Sequence, residues 1–413
     1  MPEAPATQRS KGMRDLLPDE MERLRAVESA FAAACRAWGY REIRTPVIEP
    51  LHLFTTAGTL SPQTLDRVYS FLDWDGWSGE RVVLRPDSTI PAARLYAERL
   101  NSGRIAKLFY SQNVFRFTDD DSPREEWQFG VELIGDTGVA GDVELVLLAL
   151  EALRPLGLPP VSVRLSHAGI VRGVLAAAGL STEEQSSAYD RLLDGDVSAV
   201  DDVEARMPQL NATLRLLFEV DGAGSGYIAN LRGPLVDAIP ALSPAFDQLA
   251  FVVAALEAQG VAPVIQTVLA RSFEYYSGLV MKLDSGGRRI AVGGRYDELI
   301  GLVGGKAVPA SGFGLYVSPL VELSHMRAAA TNGRRVIVDA RDLDPAVIAE
   351  TYVVAASLRA AGIGAETTQG MDSSPTHWLV CSSDTPRFRL FADGVDRQFA
   401  SLEDVMAALE LAG

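Results

Sequence analysis

Residues Asn113–Gly135, NVFRFTDDDSPREEWQFGVELIG, read as two strands joined by a short loop. Arg116 stands on the first strand. Gln128 and Glu132 stand on the second, an even number of residues apart and so on one face. A hairpin that turns such residues inward is built to hold a polar ligand. The loop between the strands carries Asp119, Asp120 and Asp121 in a row, and three adjacent carboxylates repel a polyphosphate.

Beyond the hairpin, 413 residues suffice for two or three domains and a large core. Lys and Arg number 38 against 54 Asp and Glu, a net charge of −16, which argues against a protein whose main task is gripping a nucleic-acid backbone. No apolar run approaches the roughly 18 residues of a membrane span, so no membrane association is expected. The opening MPEAPATQRSKG lacks the apolar core of a signal peptide and reads as a short disordered lead. Cys35 and Cys381 lie far apart and form no cluster with the four histidines, which predicts a reduced, cytoplasmic protein with no structural metal site.

Residues 19–38 repeat apolar positions at helical spacing (Leu24, Val27, Phe31, Ala34), and Gly39 stops the helix. GYREIRTPVIEP, with Pro46 and Pro50, fits an extended interface strand better than a central one. RVYSFLDWDGWSGERVVLRPDST is β-rich about the turn DWDGWSGE, and STIPAARLYAERL opens a helix with Ser88 or Thr89 as its cap. Residues 169–255 are mostly helical and read as an insertion. Strands resume between Pro263 and Leu283 and in RRIAVGG, and GFGLYVSPLVEL begins the last helix of the main domain. MRAAATNGRR is the best linker, which gives a main domain over 1–325 and a small α/β domain over 333–413.

Four polar clusters lie beside these strands: RPDST with Asp87 and Thr89, the hairpin, ARSFEYYSGLV with Arg271 and Tyr276, and VGGRYDELIG with Tyr296. Each alone has a plain structural reading. Arg116 and Glu132 make a plausible ion pair, YY a packed strand, the double glycine a turn, and Asp-Asp-Asp a solvated loop tip.

Together and in this order, GMRDLLPDE, GYREIRTPVIEP, FRF…REEWQFGVE, ARSFEYYSG and VGGRYDELIG resemble the histidyl-tRNA synthetase family over roughly residues 10–325. The resemblance implies an α+β fold: a class II aminoacyl-tRNA synthetase-like antiparallel sheet with flanking helices. It also implies a histidine pocket. Asp87 and Thr89 match the positions that hold the α-amino group. Arg116, Arg271 and Gln128 match those at the carboxylate, and Glu132, Tyr276 and Tyr296 those that read the imidazole. The chemistry fits, since a zwitterion needs a carboxylate for its ammonium and a cation for its carboxylate. Asp87 is one methylene shorter than the family's Glu.

The ATP half departs from the pattern. Where synthetases place a Glu-Arg pair against the nucleotide, this chain has Ser318 and Pro319, and proline supplies neither charge nor a backbone donor. The loop that carries basic residues in synthetases is the acidic FTDDDSPRE. From Arg334 to Gly413 there are seven Arg and no Lys against twelve Asp and Glu, a net of −5, poorly suited to an anticodon.

A histidine pocket without ATP or tRNA equipment resembles the ATP phosphoribosyltransferase regulatory subunits, paralogues of the synthetases. That resemblance implies no catalytic residue and no cofactor. It implies three partners: L-histidine, a short-form ATP phosphoribosyltransferase catalytic subunit, and a second copy in a homodimer within a hetero-oligomer. Two other readings stay open: a synthetase with an unusual ATP site, and a paralogue binding histidine or a related amine for an unrelated partner.

Overall fold

The computed structural model describes residues 9–56, 68–74, 79–118, 122–194, 196, 198–269, 276–326, 335–341, 344–367, 376–392 and 394–411, the side chains of 410 and 411 excepted. The acidic tip Asp119–Asp121, Arg271 and the first eight residues of the lead lie outside them. The chain forms two compact units, Met1–Met326 and Arg327–Gly413.

The first unit opens on helix Pro18–Ala37, whose stripe Leu24, Val27, Phe31 and Ala34 is buried as its spacing predicts. Its strands are β1 (Arg41–Glu42), β2 (Ile48–Pro50), β3 (Ser70–Trp74), β4 (Gly79–Leu84), β5 (Ala106–Phe115), β6 (Glu125–Ile134), β7 (Val161–His167), β8 (Gly222–Ala223), β9 (Val264–Ile265), β10 (Leu279–Ser285), β11 (Arg288–Arg295) and β12 (Ala310–Tyr316). Nine of them make one sheet in the order β1-β5-β6-β12-β11-β10-β7-β9-β8. It is antiparallel except at β1/β5 and β7/β9. β2, β4 and β3 form a small second sheet. The α+β, class II synthetase-like fold expected from the sequence is the one observed.

One face of the large sheet is packed by the first helix. Phe31 stacks on Phe129 of β6 with ring centroids 5.3 Å apart and meets Phe109 of β5 edge-on at 5.9 Å. Because side chains alternate along a strand, the even-numbered residues of β5 and β6 turn to the opposite face. That parity carries Tyr110, Gln128 and Glu132 away from the apolar layer.

Three readings of the sequence are corrected here. GFGLY is strand β12, and only Val317–Leu323 is helical. The helix after β4 begins at Thr89 with Ser88 at its N-cap position, but the Ser88 side chain makes no cap bond. Instead Asp87 Oδ1 accepts from the Thr89 and Ile90 N–H groups at 2.8 and 3.2 Å. Finally, Pro240–Ala258 is long and apolar enough by length and composition to cross a bilayer (19 residues, mean hydropathy 1.3), although no such run was expected. Its stripe Phe246, Leu249, Val252, Val253 and Leu256 is buried within the unit. The region read as a helical insertion is helical apart from the two-residue β8.

The second unit has a five-stranded sheet of 335–340, 364–366, 377–381, 388–392 and 395–399, with helices Pro345–Ala360 and Leu402–Leu411.

Candidate functional site

The site grows from a row of residues paired across three strands. Glu132 of β6 lies opposite Gly312 of β12, which lies opposite Gly294 of β11. The glycines leave a trough on the sheet. A Cβ at 312 would stand 2.5 Å from both Glu132 Oε2 and Tyr296 Oη, and one at 294 would stand 2.8 Å from the Tyr276 ring. These glycines admit the side chains of the two tyrosine segments. At Gly294 what approaches is the Tyr276 ring.

Glu132 is 2% exposed, and both its oxygens accept from phenols. Tyr110 Oη donates to Oε1 at 3.0 Å, and Tyr296 Oη donates to Oε2. Tyr110 also shares a hydrogen bond of 3.2 Å with Thr89 Oγ1. Burial, and secondarily the Asp87 carboxylate, push the Glu132 pKa well above the usual carboxylate range. Tyr276 is also buried, and its phenol pKa is raised first by burial and then by neighbours that include Asp87 and Glu132.

Asp87 sits where β4 gives way to a helix. Oδ1 is committed to the helix start, and Oδ2 accepts from Gln128 Nε2 at 3.3 Å. Gln128 Oε1 in turn accepts from the Ser88 N–H at 3.0 Å, which fixes the amide orientation. Arg116 lies one residue past β5, where its N–H still extends the ladder to Arg124 O at 2.9 Å. Its Nε donates to Pro86 O at 2.9 Å, which fastens the guanidinium beside the Asp87 turn.

Of the sequence-selected residues, Asp87, Thr89, Gln128, Glu132 and Tyr296 are thus joined through hydrogen bonds. Arg116 braces the backbone next to them, and Tyr276 packs on the adjacent strand. Arg271 lies outside the described residues. Ser318 and Pro319 occupy the first turn of Val317–Leu323. Among the described residues, the Asp87 and Glu132 carboxylates bond only backbone N–H groups, an amide and hydroxyls. Two neighbouring carboxylates without a bonded cation favour a positively charged ligand.

Two contributors escaped the sequence reading. Tyr110 sits in the apolar run LFY and reads as core, although it shares the parity of Arg116. Arg295 is a buried cation whose Nη2 meets Asp142 Oδ1 at 2.8 Å and whose Nη1 meets Asp136 O at 2.9 Å. Its backbone carbonyl accepts from the Ser277 N–H at 2.7 Å, so it ties the Tyr276 segment to the end of β11, just before Tyr296.

The family model for histidyl-tRNA synthetase matches residues 12–320. An ATP phosphoribosyltransferase regulatory subunit of Dehalococcoides mccartyi is 43% identical over 377 residues, 90% of each chain. The chain belongs to the histidyl-tRNA synthetase-like family of ATP phosphoribosyltransferase regulatory subunits. A histidine–tRNA ligase of Archaeoglobus fulgidus is 32% identical across 78% of this chain and 77% of its own. Among solved structures, one described as an ATP phosphoribosyltransferase regulatory subunit/histidyl-tRNA synthetase from Bacillus halodurans superposes with a TM-score of 0.78. It is 25% identical and covers 93% of this chain and all of its own.

Proposed function

We propose that this chain is the non-catalytic regulatory subunit of a cytoplasmic ATP phosphoribosyltransferase, acting in the first step of histidine biosynthesis. In this reading L-histidine occupies the pocket over β5, β6, β11 and β12. Asp87 and Thr89 receive its ammonium group, and Arg116, Arg271 and Gln128 hold its carboxylate. Glu132, Tyr276 and Tyr296 read its imidazole. The chain activates a short catalytic subunit, and bound histidine favours the less active state of the assembly, as feedback requires. Val47 and Ile48 are more than a third exposed, which supports a homodimer contact through the segment around Arg44–Pro50.

One observation supports the ligand half of this reading most. Glu132 is a buried carboxylate held by two phenols, with Asp87 as its acidic neighbour and no cation bonded to either among the described residues. Such a site is complemented by the positive charge that an ammonium or a protonated imidazole supplies. The non-catalytic half rests on Ser318 and Pro319, which provide no cation for a nucleotide. Calorimetry on the full chain tests the reading. Micromolar or tighter L-histidine binding with no comparable ATP binding is expected. Tight ATP binding, or histidine-dependent pyrophosphate exchange, would return the chain to synthetase chemistry.

A further inference from the structure

The role proposed for Glu132 and Thr89 leaves Tyr110 without a task, yet among the described residues it is the side chain bonded to both. Its ring is fully buried on β5. It lies against β6 at Gly130, where any Cβ would strike the end of the phenol. Its hydroxyl stands 3.0 Å from Glu132 Oε1 and 3.2 Å from Thr89 Oγ1. Beside a cationic ligand Glu132 is ionised, and an ionised carboxylate accepts only, so the single Tyr110 proton goes to Glu132. Thr89 also hydrogen-bonds the Glu132 carboxylate, so it spends its own proton within the cluster, and its remaining lone pairs are left for a ligand. Thr89, Tyr110 and Glu132 therefore form one hydrogen-bonded cluster that presents acceptors at both ends.

We propose that Tyr110 is a positioning residue that locks the Asp87–Thr89 end of the pocket to the Glu132 end. The site thereby selects a ligand carrying two N–H donors a set distance apart. This rests on the histidine reading and deepens it: the amine and the ring nitrogen are recognised as a pair. The charged groups around the phenol are Glu132 and Asp87, which with burial keep it protonated across the neutral range.

The test compares L-histidine with 3-(imidazol-4-yl)propionate, which lacks only the amine, by calorimetry on the full chain. Tyr110→Phe keeps the ring and removes the hydroxyl. It should weaken both ligands but histidine more, shrinking the preference for histidine by about tenfold, the scale of one hydrogen bond to a charged group. Thr89→Val cuts the same link from its other end and should shrink the preference similarly. The double variant should add little to either, because both changes break one chain. A merely structural Tyr110 would lower the melting temperature and weaken the two ligands equally, and that result overturns the proposal. If Tyr110→Phe does not fold, Thr89→Ser against Thr89→Val decides. Serine should keep the preference and valine lose it, and equal behaviour overturns the proposal. If the unaltered chain binds histidine but shows no preference for it, only this proposal falls. If it binds no histidine, the functional reading falls with it.

Discussion

Asp87 performs two jobs with two oxygens, and two substitutions separate them. Oδ1 caps the helix that starts at Thr89, while Oδ2 faces Gln128 and, in the proposed reading, carries the charge offered to the ligand's ammonium. Asp87→Asn retains a capping oxygen and removes the charge. Asp87→Ala removes both. Loss of a side-chain cap costs about 1 kcal/mol, so Asp87→Ala should unfold at lower urea by that amount while Asp87→Asn stays near the parent. The amide nitrogen of the asparagine would face Gln128 Nε2, but the contact it replaces is a weak one at 3.3 Å. Loss of a hydrogen bond to a charged group costs about 1.5–3 kcal/mol, so both variants should bind histidine roughly 10- to 150-fold more weakly. Urea titration gives the first quantity, with an unchanged slope as the check on two-state unfolding, and calorimetry gives the second. Equal stability of the two variants would refute the capping argument. Undiminished histidine binding by Asp87→Asn would refute the ammonium assignment.

Gly312→Ala places a methyl group against Glu132 and Tyr296, so it should destabilise the chain by about 1–3 kcal/mol and abolish histidine binding, read by melting and calorimetry. Arg295→Met leaves the buried Asp142 carboxylate unpaired and should cost about 3–5 kcal/mol in a denaturant titration. The Glu132 carboxyl has a raised pKa in the folded chain. Between the unfolded value of about 4.3 and that raised value, the folded chain keeps a proton that the unfolded chain has released. Its contribution to stability is therefore full below that window and declines as pH rises through it. Glu132→Gln should flatten this part of the stability-versus-pH curve, and an unchanged slope would contradict the assignment.

The hairpin and the pocket face were legible because strand parity puts Gln128 and Glu132 together whatever else the chain does. The ends of the fold's elements were less so. GFGLY looks unlike a strand because its glycines lower β-propensity. Those glycines are there because Gly312 must clear Glu132 and Tyr296, and Gly314 must clear Gln128 Nε2 at 3.1 Å. The site thus weakened the signal of the strand that supports it. Asp87 was read as a ligand group and its second role as a cap went unseen, since Ser and Thr beside it have the same propensity for that position. Tyr110 was hidden by its apolar neighbours Leu108 and Phe109: only the pairing register shows that it lies diagonal to Glu132. In the second unit, strand Val395–Phe399 escaped notice because it is polar and almost wholly exposed, and Gly364–Glu366 because it is three residues long.

The central claim is that this chain senses histidine on behalf of a catalytic partner. It is tested most directly by the initial rate of a short-form ATP phosphoribosyltransferase, measured alone, with this chain, and with this chain plus L-histidine. The account predicts a higher rate on adding the chain. It also predicts inhibition by histidine that moves to higher concentration with Tyr276→Phe or Tyr296→Phe, while the activation itself survives those changes. A mixture that neither associates nor gains activity, or inhibition indifferent to both tyrosines, would contradict it.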